Sequence, residues 1–300
     1  TLLRNADIAL YRAKEQGRNT YQFYTEGMQE REVMRLELDK DLSQALANNE
    51  FVLFYQPQLN LDTGEIQSVE ALIRWRHPRR GLLPPVEFIP LAEESGRITD
   101  IGRWVVLAAC RQLAAWKGTP QDGLRIAVNL SGRELDDENL VDHIREALAA
   151  ENVPADRLEV ELTEEIFIQN IEHNLNQLSR LHQLGVHLAI DDFGVGYSSL
   201  GYLRDFPVDL LKIDRSFITE VTERHDDAVI TRAVINLAHN LGIEVVAEGV
   251  ETEEQLNFLK SYRCNFAQGY LISRPIPVSD LEKALASGVL VAGITADSGL

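Results

Sequence analysis

From residue 50 onward, short runs rich in β-branched and aromatic residues alternate with longer stretches whose apolar positions return every three or four residues. The runs are Phe51 to Gln58, Ile66 to Trp75, Arg125 to Ser131, Leu158 to Thr163, His187 to Phe193, Leu210 to Asp214, Glu244 to Glu248 and Phe266 to Ser273. The helical stretches cover about 87–117, 135–150, 170–185, 197–205, 225–241, 252–260 and 278–287. Eight strands with helices between them, over roughly 240 residues, predict an α/β chain folded as a (β/α)8 barrel, with an open doubly wound sheet as the alternative. Only the turn Leu61-Asp-Thr-Gly-Glu65 separates the first two runs. They should pair as an antiparallel hairpin, which makes this a modified, TIM-like barrel.

The chain before residue 50 reads differently. Ala6 to Lys14 has a helical pattern closed by Gly17, and Thr20 to Tyr24 is strand-like, which together are too little to bury a core. Residues 28–48 are charged and helical, with apolar positions at Met34, Leu36, Leu38, Leu42 and Leu46, so a domain boundary is expected near 25–35. Composition narrows the class: 45% apolar residues, 25% charged residues and 10 Pro belong to a packed globular chain. The 47 acids against 29 Lys and Arg, a formal charge of −18, oppose a broad grip on a nucleic-acid polymer. Cys110 and Cys264 form neither a disulfide framework nor a metal spacing, and no apolar run approaches the roughly 20 residues that span a bilayer. A cytoplasmic location without membrane contact is the expectation, and a chain that starts at Thr1 reads as part of something longer.

Polar residues interrupt nearly every strand near its C-terminal end: Glu70, Asn129, Glu161, Asp191 and Asp192, Lys212, Glu248 and Gln268. A single polar strand end is usually a cap or a surface ion pair, but seven in register would meet at the rim where barrels of this class carry their chemistry. So many carboxylates need a counter-charge. Oxygen donors without Cys or His favour Mg²⁺ or Mn²⁺, and two such ions would suit the hydrolysis of a phosphodiester.

Glu70-Ala-Leu72 followed by Ile73-Arg-Trp75 resembles the signature of the EAL-domain phosphodiesterases, which open cyclic di-GMP to linear pGpG. The resemblance continues through Gln56-Pro57, Phe88 to Glu94, Asn129-Leu-Ser131, Glu161-Leu-Thr-Glu164, Asp191-Asp-Phe-Gly194, Leu211-Lys-Ile-Asp214, Ala247 to Glu251 and Gln268-Gly-Tyr270, covering about 35–287. It implies a barrel with one antiparallel strand, two Mg²⁺ or Mn²⁺ ions, a cyclic di-GMP substrate lowered in bacterial signalling, and a homodimer. By matching motif, Glu70, Asn129, Glu161 and Asp191 are metal ligands and Asp192 is shared between metals. Glu248 is general base or second-metal ligand, and Lys212 holds the attacking water. Arg74 would reach a phosphate, and Gln56 and Gln268 would touch substrate or its neighbours. Glu164 braces the loop that begins at Asp192 and includes Gly194, with Glu251 as a further support.

Two departures stand out: Val195 where the family usually has Thr, and Glu134 where Gln is common. Residues 6–19 resemble the close of a GGDEF domain, so the implied organisation is a GGDEF remnant and linker at 1–26, the barrel at 27–288 and a tail at 289–300. No GGDEF signature loop is present. Alternatives to the enzyme are a degenerate domain that binds cyclic di-GMP as a receptor, and a barrel lyase or enolase-like enzyme acting on a carboxylate. The complete ligand set favours hydrolysis.

Overall fold

A computed structural model describes residues 10, 21, 23–168, 171–195, 203, 204 and 206–288. The elements expected within 6–24, most of the helix expected at 197–205 and the tail at 289–300 lie outside them. In chain order the elements are α1 (Glu26–Ala45), β1 (Phe51–Asn60), β2 (Ile66–His77), β3 (Gly81–Leu83), α2 (Pro85–Glu94), α3 (Ile98–Trp116), β4 (Arg125–Asn129), α4 (Gly132–Leu135), α5 (Leu140–Glu151), β5 (Leu158–Thr163), α6 (Glu164–Ile168), α7 (Ile171–Leu184), β6 (His187–Phe193), β7 (Leu210–Ile213), α8 (Arg215–Thr219), α9 (His225–Asn240), β8 (Glu244–Ala247), α10 (Glu253–Ser261), β9 (Phe266–Ala267), β10 (Ile276–Pro277) and α11 (Val278–Ser287).

The chain divides into two compact units. The smaller comprises residues 1–51 and 75–97. In it the end of β2 pairs antiparallel with β3, Trp75 opposite Leu83, and Phe51, Trp75 and Phe88 pack ring against ring with centroids 5.7 to 6.1 Å apart. The Trp75 indole N–H, which burial would otherwise strand, donates to Glu50 at 2.9 Å.

The larger unit, residues 52–74 and 98–300, contains the barrel. Strands β2, β4, β5, β6, β7, β8 and β9 run parallel in that order; β1 pairs antiparallel with β9 and also with β2, which closes the ring. The barrel expected from the sequence is therefore present, with β1 as its one antiparallel member. Because side chains alternate along a strand, this register decides which residues face inward. Asn129 lies beside Glu161, Glu161 beside Ala189, and Lys212 beside Val246. The intervening residues, such as Val128, Val160, Leu162, Ile190, Leu211 and Ile213, are buried under the helices, with α3 on β4, α7 on β6 and α9 on β8. Inside, Ala189, Leu210, Val246 and Phe266 form an apolar layer.

Several boundaries differ from the sequence expectation. The helix expected over 87–117 is two, interrupted at Gly96, whose φ of 74° ends a helix without steric penalty. The eighth strand stops at Ala267, because Gly269 turns against the Val250 backbone: a Cβ there would sit 2.1 Å from the Val250 carbonyl oxygen. The short pairings β3 and β10, and the single-turn helices α6 and α8, were not expected; each has too few residues to show a period.

The apolar layer supports the polar groups next to it. Phe266→Ala should cost about 3–5 kcal/mol in urea denaturation. A loss under about 1 kcal/mol would contradict the layer's role.

Candidate metal and active centre

Lys212 is the third residue of a four-residue strand and its side chain is fully buried. A buried ammonium is tolerated only beside anions, and the register supplies them from four strands. Its Nζ lies 2.7 Å from Glu161, 2.8 Å from Glu248, 3.2 Å from Asp191 and 3.7 Å from Glu70. Glu161 comes from inside β5 and Asp191 from β6, while Glu248 follows β8 with its N–H on the Ile213 carbonyl at 3.1 Å. Glu70 comes from β2, where its oxygens accept from Asn129 Nδ2 at 2.7 Å and from Gln268 Nε2 at 2.5 Å.

One ammonium cannot neutralise four carboxylates, and the titration directions reflect that. Burial raises the Glu161 carboxyl well above its usual range, and Glu70, Asp191 and Glu159 raise it further against the pull of Lys212. Burial likewise pushes Glu248 up to about 8, although Lys212 opposes it. Burial also pushes on Glu70, but Lys212 and the hydrogen bonds from Gln268 and Asn129 outweigh it, and its pKa falls. For Lys212 the desolvation that would deprotonate it is overcome by Asp191, Glu161, Glu248 and Glu70, so it stays charged. Desolvation and then Asp191 raise Asp192.

This donor set fits hard cations. Oxygens of Asp191, Asp192 and Glu248 come within 4.8 Å of one another. Glu161 Oε1 is buried without a hydrogen-bond partner, a costly state for a carboxylate oxygen unless a ligand takes it up. Asn129 gives its amide N–H to Glu70, which leaves its carbonyl oxygen as the atom a cation would use.

The strand exits hold these groups by backbone devices. After Asn129, Leu130 N–H bonds the Glu161 carbonyl at 2.8 Å, and Ser131 caps α4 in a reciprocal box with Glu134, whose carboxylate accepts from the Ser131 N–H at 2.9 Å. The Glu134 departure therefore retains a capping function, and Gly102 makes room for it: a Cβ there would be 1.5 Å from Glu134 Oε1. Asp192 sits in the left-handed region at φ 54°, and the next turn is held by Glu164, which accepts from the Gly194 N–H at 2.9 Å. Gly194 has φ 100°, and a Cβ would lie 2.9 Å from the Phe217 ring. Val195 is exposed, and its N–H points to the Asp192 carbonyl at 3.4 Å; the loop beyond it, 196–202, lies outside the described residues.

The remaining candidates are placed unevenly. Gln56 accepts from Gln268 Nε2 at 3.1 Å and donates to the Ser273 carbonyl at 3.1 Å, which ties it to the cluster. Arg74 is half-buried over the Phe54 ring, 5.5 Å from its centroid, and donates to the Ile73 carbonyl. Glu251 is exposed and outside the Lys212 cluster; its backbone N–H donates to Gln255 in the cap of α10. Sequence reasoning missed Gln58, fully buried and bonded to Gln268 Oε1 at 2.9 Å, and Glu159, buried beside Arg125 in the same strand as Glu161. Both are polar residues inside otherwise apolar runs, which was the available signal.

Comparison with known proteins agrees with this architecture. Residues 39–275 match the model of the EAL domain family. The chain is 46% identical over 284 residues to the Pseudomonas aeruginosa protein named cyclic di-GMP phosphodiesterase NbdA, covering 95% of this chain and 36% of that one. It is 44% identical over 285 residues to the bifunctional diguanylate cyclase/cyclic di-GMP phosphodiesterase MucR of the same organism, covering 95% and 42%. A solved PaMucR phosphodiesterase structure in complex with c-di-GMP superposes with a TM-score of 0.79 at 44% identity, covering 82% of this chain and 99% of that one. The chain thus spans well under half the length of these curated relatives, and it belongs to the EAL domain family. Among the described residues, no helix is long and apolar enough to cross a membrane.

The Lys212 ammonium is the counter-charge of four clustered carboxylates and so holds the structure together. Lys212→Met should destabilise the protein by about 3–5 kcal/mol when unfolded in EDTA, since it leaves buried carboxylates unpaired. Unchanged stability in EDTA would contradict it.

Proposed function

We propose that this EAL domain is a metal-dependent phosphodiesterase that opens cyclic di-GMP to linear pGpG. The observation that carries the reading is the buried excess of carboxylates around Lys212, with a partnerless Glu161 oxygen, at the mouth of a barrel that superposes on a relative solved with c-di-GMP. In this reading Glu70, Asn129, Glu161, Asp191, Asp192 and Glu248 would hold two ions, Mg²⁺ or Mn²⁺. When bound, they supply positive charge to the phosphodiester oxygens and acidify the attacking water.

This chain's own residues do the rest. Lys212 Nζ, fixed between Glu161 and Glu248, orients the attacking water and faces the charge that develops on the phosphoryl group. Glu248 takes the water's proton as the oxygen attacks phosphorus. The bond from phosphorus to the 3′ oxygen then breaks, and that oxygen leaves as the 3′ hydroxyl after gaining a proton. Arg74 would contact the substrate's phosphate, and Gln56 and Gln268 would touch the substrate or the groups beside it. Glu164 and Gly194 hold the turn after Asp192, and Glu251, an exposed residue in the segment that follows β8, would support it further. Anion affinity confined to this mouth reconciles a net charge of −18 with a small anionic substrate.

We further propose that residues 1–26 close a GGDEF domain, that 27–288 form the phosphodiesterase unit ahead of a tail at 289–300, and that the protein acts in the cytoplasm as a homodimer. The resemblance of residues 6–19 to the end of a GGDEF domain, and the bifunctional relative MucR, support the first point.

Incubation with cyclic di-GMP and Mg²⁺ or Mn²⁺ should yield pGpG on nucleotide separation, and EDTA should abolish it. Binding without any pGpG would make the domain a receptor instead. Glu70→Ala should lower turnover at least about 100-fold, and full activity would refute its assignment as a ligand. Glu248→Gln should lower kcat about 100-fold or more while the Kd for cyclic di-GMP moves less than about threefold. Equal losses in both would exclude it as base.

A further inference from the structure

Ser68 and Gln58 have no place in the reading above, yet both are fully buried inside the barrel, where an unused polar group is a cost. They are linked to the centre by one line of hydrogen bonds. Ser68 Oγ donates to Gln58 Oε1 at 2.5 Å, Gln58 Nε2 donates to Gln268 Oε1 at 2.9 Å, and Gln268 Nε2 donates to Glu70 at 2.5 Å and to Gln56 Oε1 at 3.1 Å.

The direction of this line follows from the charge at its upper end. Glu70 as a carboxylate only accepts, so Gln268 must turn its amide NH₂ toward it and its carbonyl oxygen away. That oxygen then requires a donor, which forces the Gln58 amide to present Nε2. Gln58 Oε1 consequently faces Ser68, whose hydroxyl is the donor that ends the line. Reversing either amide would place a carbonyl oxygen against the Glu70 carboxylate or against another carbonyl oxygen.

Backbone geometry leaves Gln268 with only its side-chain torsions to set. Its N–H bonds the Ala247 carbonyl at 2.8 Å, its carbonyl accepts from Val250 at 3.0 Å, and Gly269 lies against the Val250 backbone. Gln58 is the residue that reaches it across the antiparallel seam, one step along the ladder whose pairs are Leu59 with Ala267 and Asn60 with Phe266.

We infer that Ser68 and Gln58 are positioning residues that hold the Glu70 carboxylate for a divalent cation, acting through the amide of Gln268. This rests on the reading of Glu70 as a metal ligand. Partners behind a ligand commonly change metal affinity by about 10- to 100-fold when removed.

The test is direct Mn²⁺ binding to the purified full chain, read from the loss of the free-ion electron paramagnetic resonance signal, with melting temperature in EDTA measured alongside. Gln58→Met should raise the Kd for Mn²⁺ about tenfold. Ser68→Ala, one bond further away, should raise it about threefold. In a Gln268→Met background, Gln58→Met should add less than about twofold, because the path through Gln268 is already cut. A Gln58→Met protein that melts lower but binds Mn²⁺ like the wild type would overturn the inference. So would an equal effect of Gln58→Met in both backgrounds. A wild type that binds no Mn²⁺ would overturn the metal reading and this inference with it, whereas a binding wild type with an unaffected Gln58→Met overturns the inference alone.

Discussion

Everything at the mouth of this barrel is arranged around one buried ammonium. Lys212 is fully enclosed, and four carboxylates, from β2, β5, β6 and the exit of β8, lie within 3.7 Å of its Nζ. Neither side of that arrangement is stable alone: the ammonium without the acids would lose its proton, and the acids without a cation would take protons up. The acids outnumber the ammonium, and burial together with that excess raises Glu161 and Glu248 above the usual carboxylate range. That surplus is what makes the same cluster receptive to hard cations.

The barrel produces the surplus by register. Parallel pairing places Asn129 beside Glu161 and carries every second residue of each strand inward. A slip of one residue in β5 would exchange Glu161 for Val160 or Leu162 and remove the main partner of Lys212. The apolar residues that alternate with these polar ones, together with the layer of Ala189, Leu210, Val246 and Phe266, keep the register fixed. The antiparallel strand has a different task. Closing the ring between β9 and β2, it brings Gln56 and Gln58 to Gln268 and so stiffens the side of the site where Glu70 stands.

The strands were legible in the sequence because nearly every one is an apolar run with its polar residue near the C-terminal end, and that same feature exposed Glu70, Asn129, Glu161, Asp191, Lys212, Glu248 and Gln268 as a group. What stayed hidden depends on distance along the chain. Gln58 bonds a residue 210 positions away, so a polar residue in a mostly apolar run was visible but its partner was not. Glu159 stands two residues before Glu161, so the same register turns it inward as well, where it is fully buried. Glu251 belongs to a recognisable motif and is exposed, with its backbone N–H donating to Gln255. The early end of β9 was invisible because a close approach of Gly269 to Val250 is a property of the folded backbone.

In the proposed reading the carboxylates around Lys212 form a cation site and not only a buried ion-pair network. Anomalous diffraction at the manganese edge from crystals grown with Mn²⁺ tests it most directly. Two peaks are expected, both bounded by oxygens of Glu70, Asn129, Glu161, Asp191, Asp192 and Glu248, with Lys212 beside them. Manganese bound only elsewhere, with Lys212 still holding the same carboxylates and no peak among them, would contradict it.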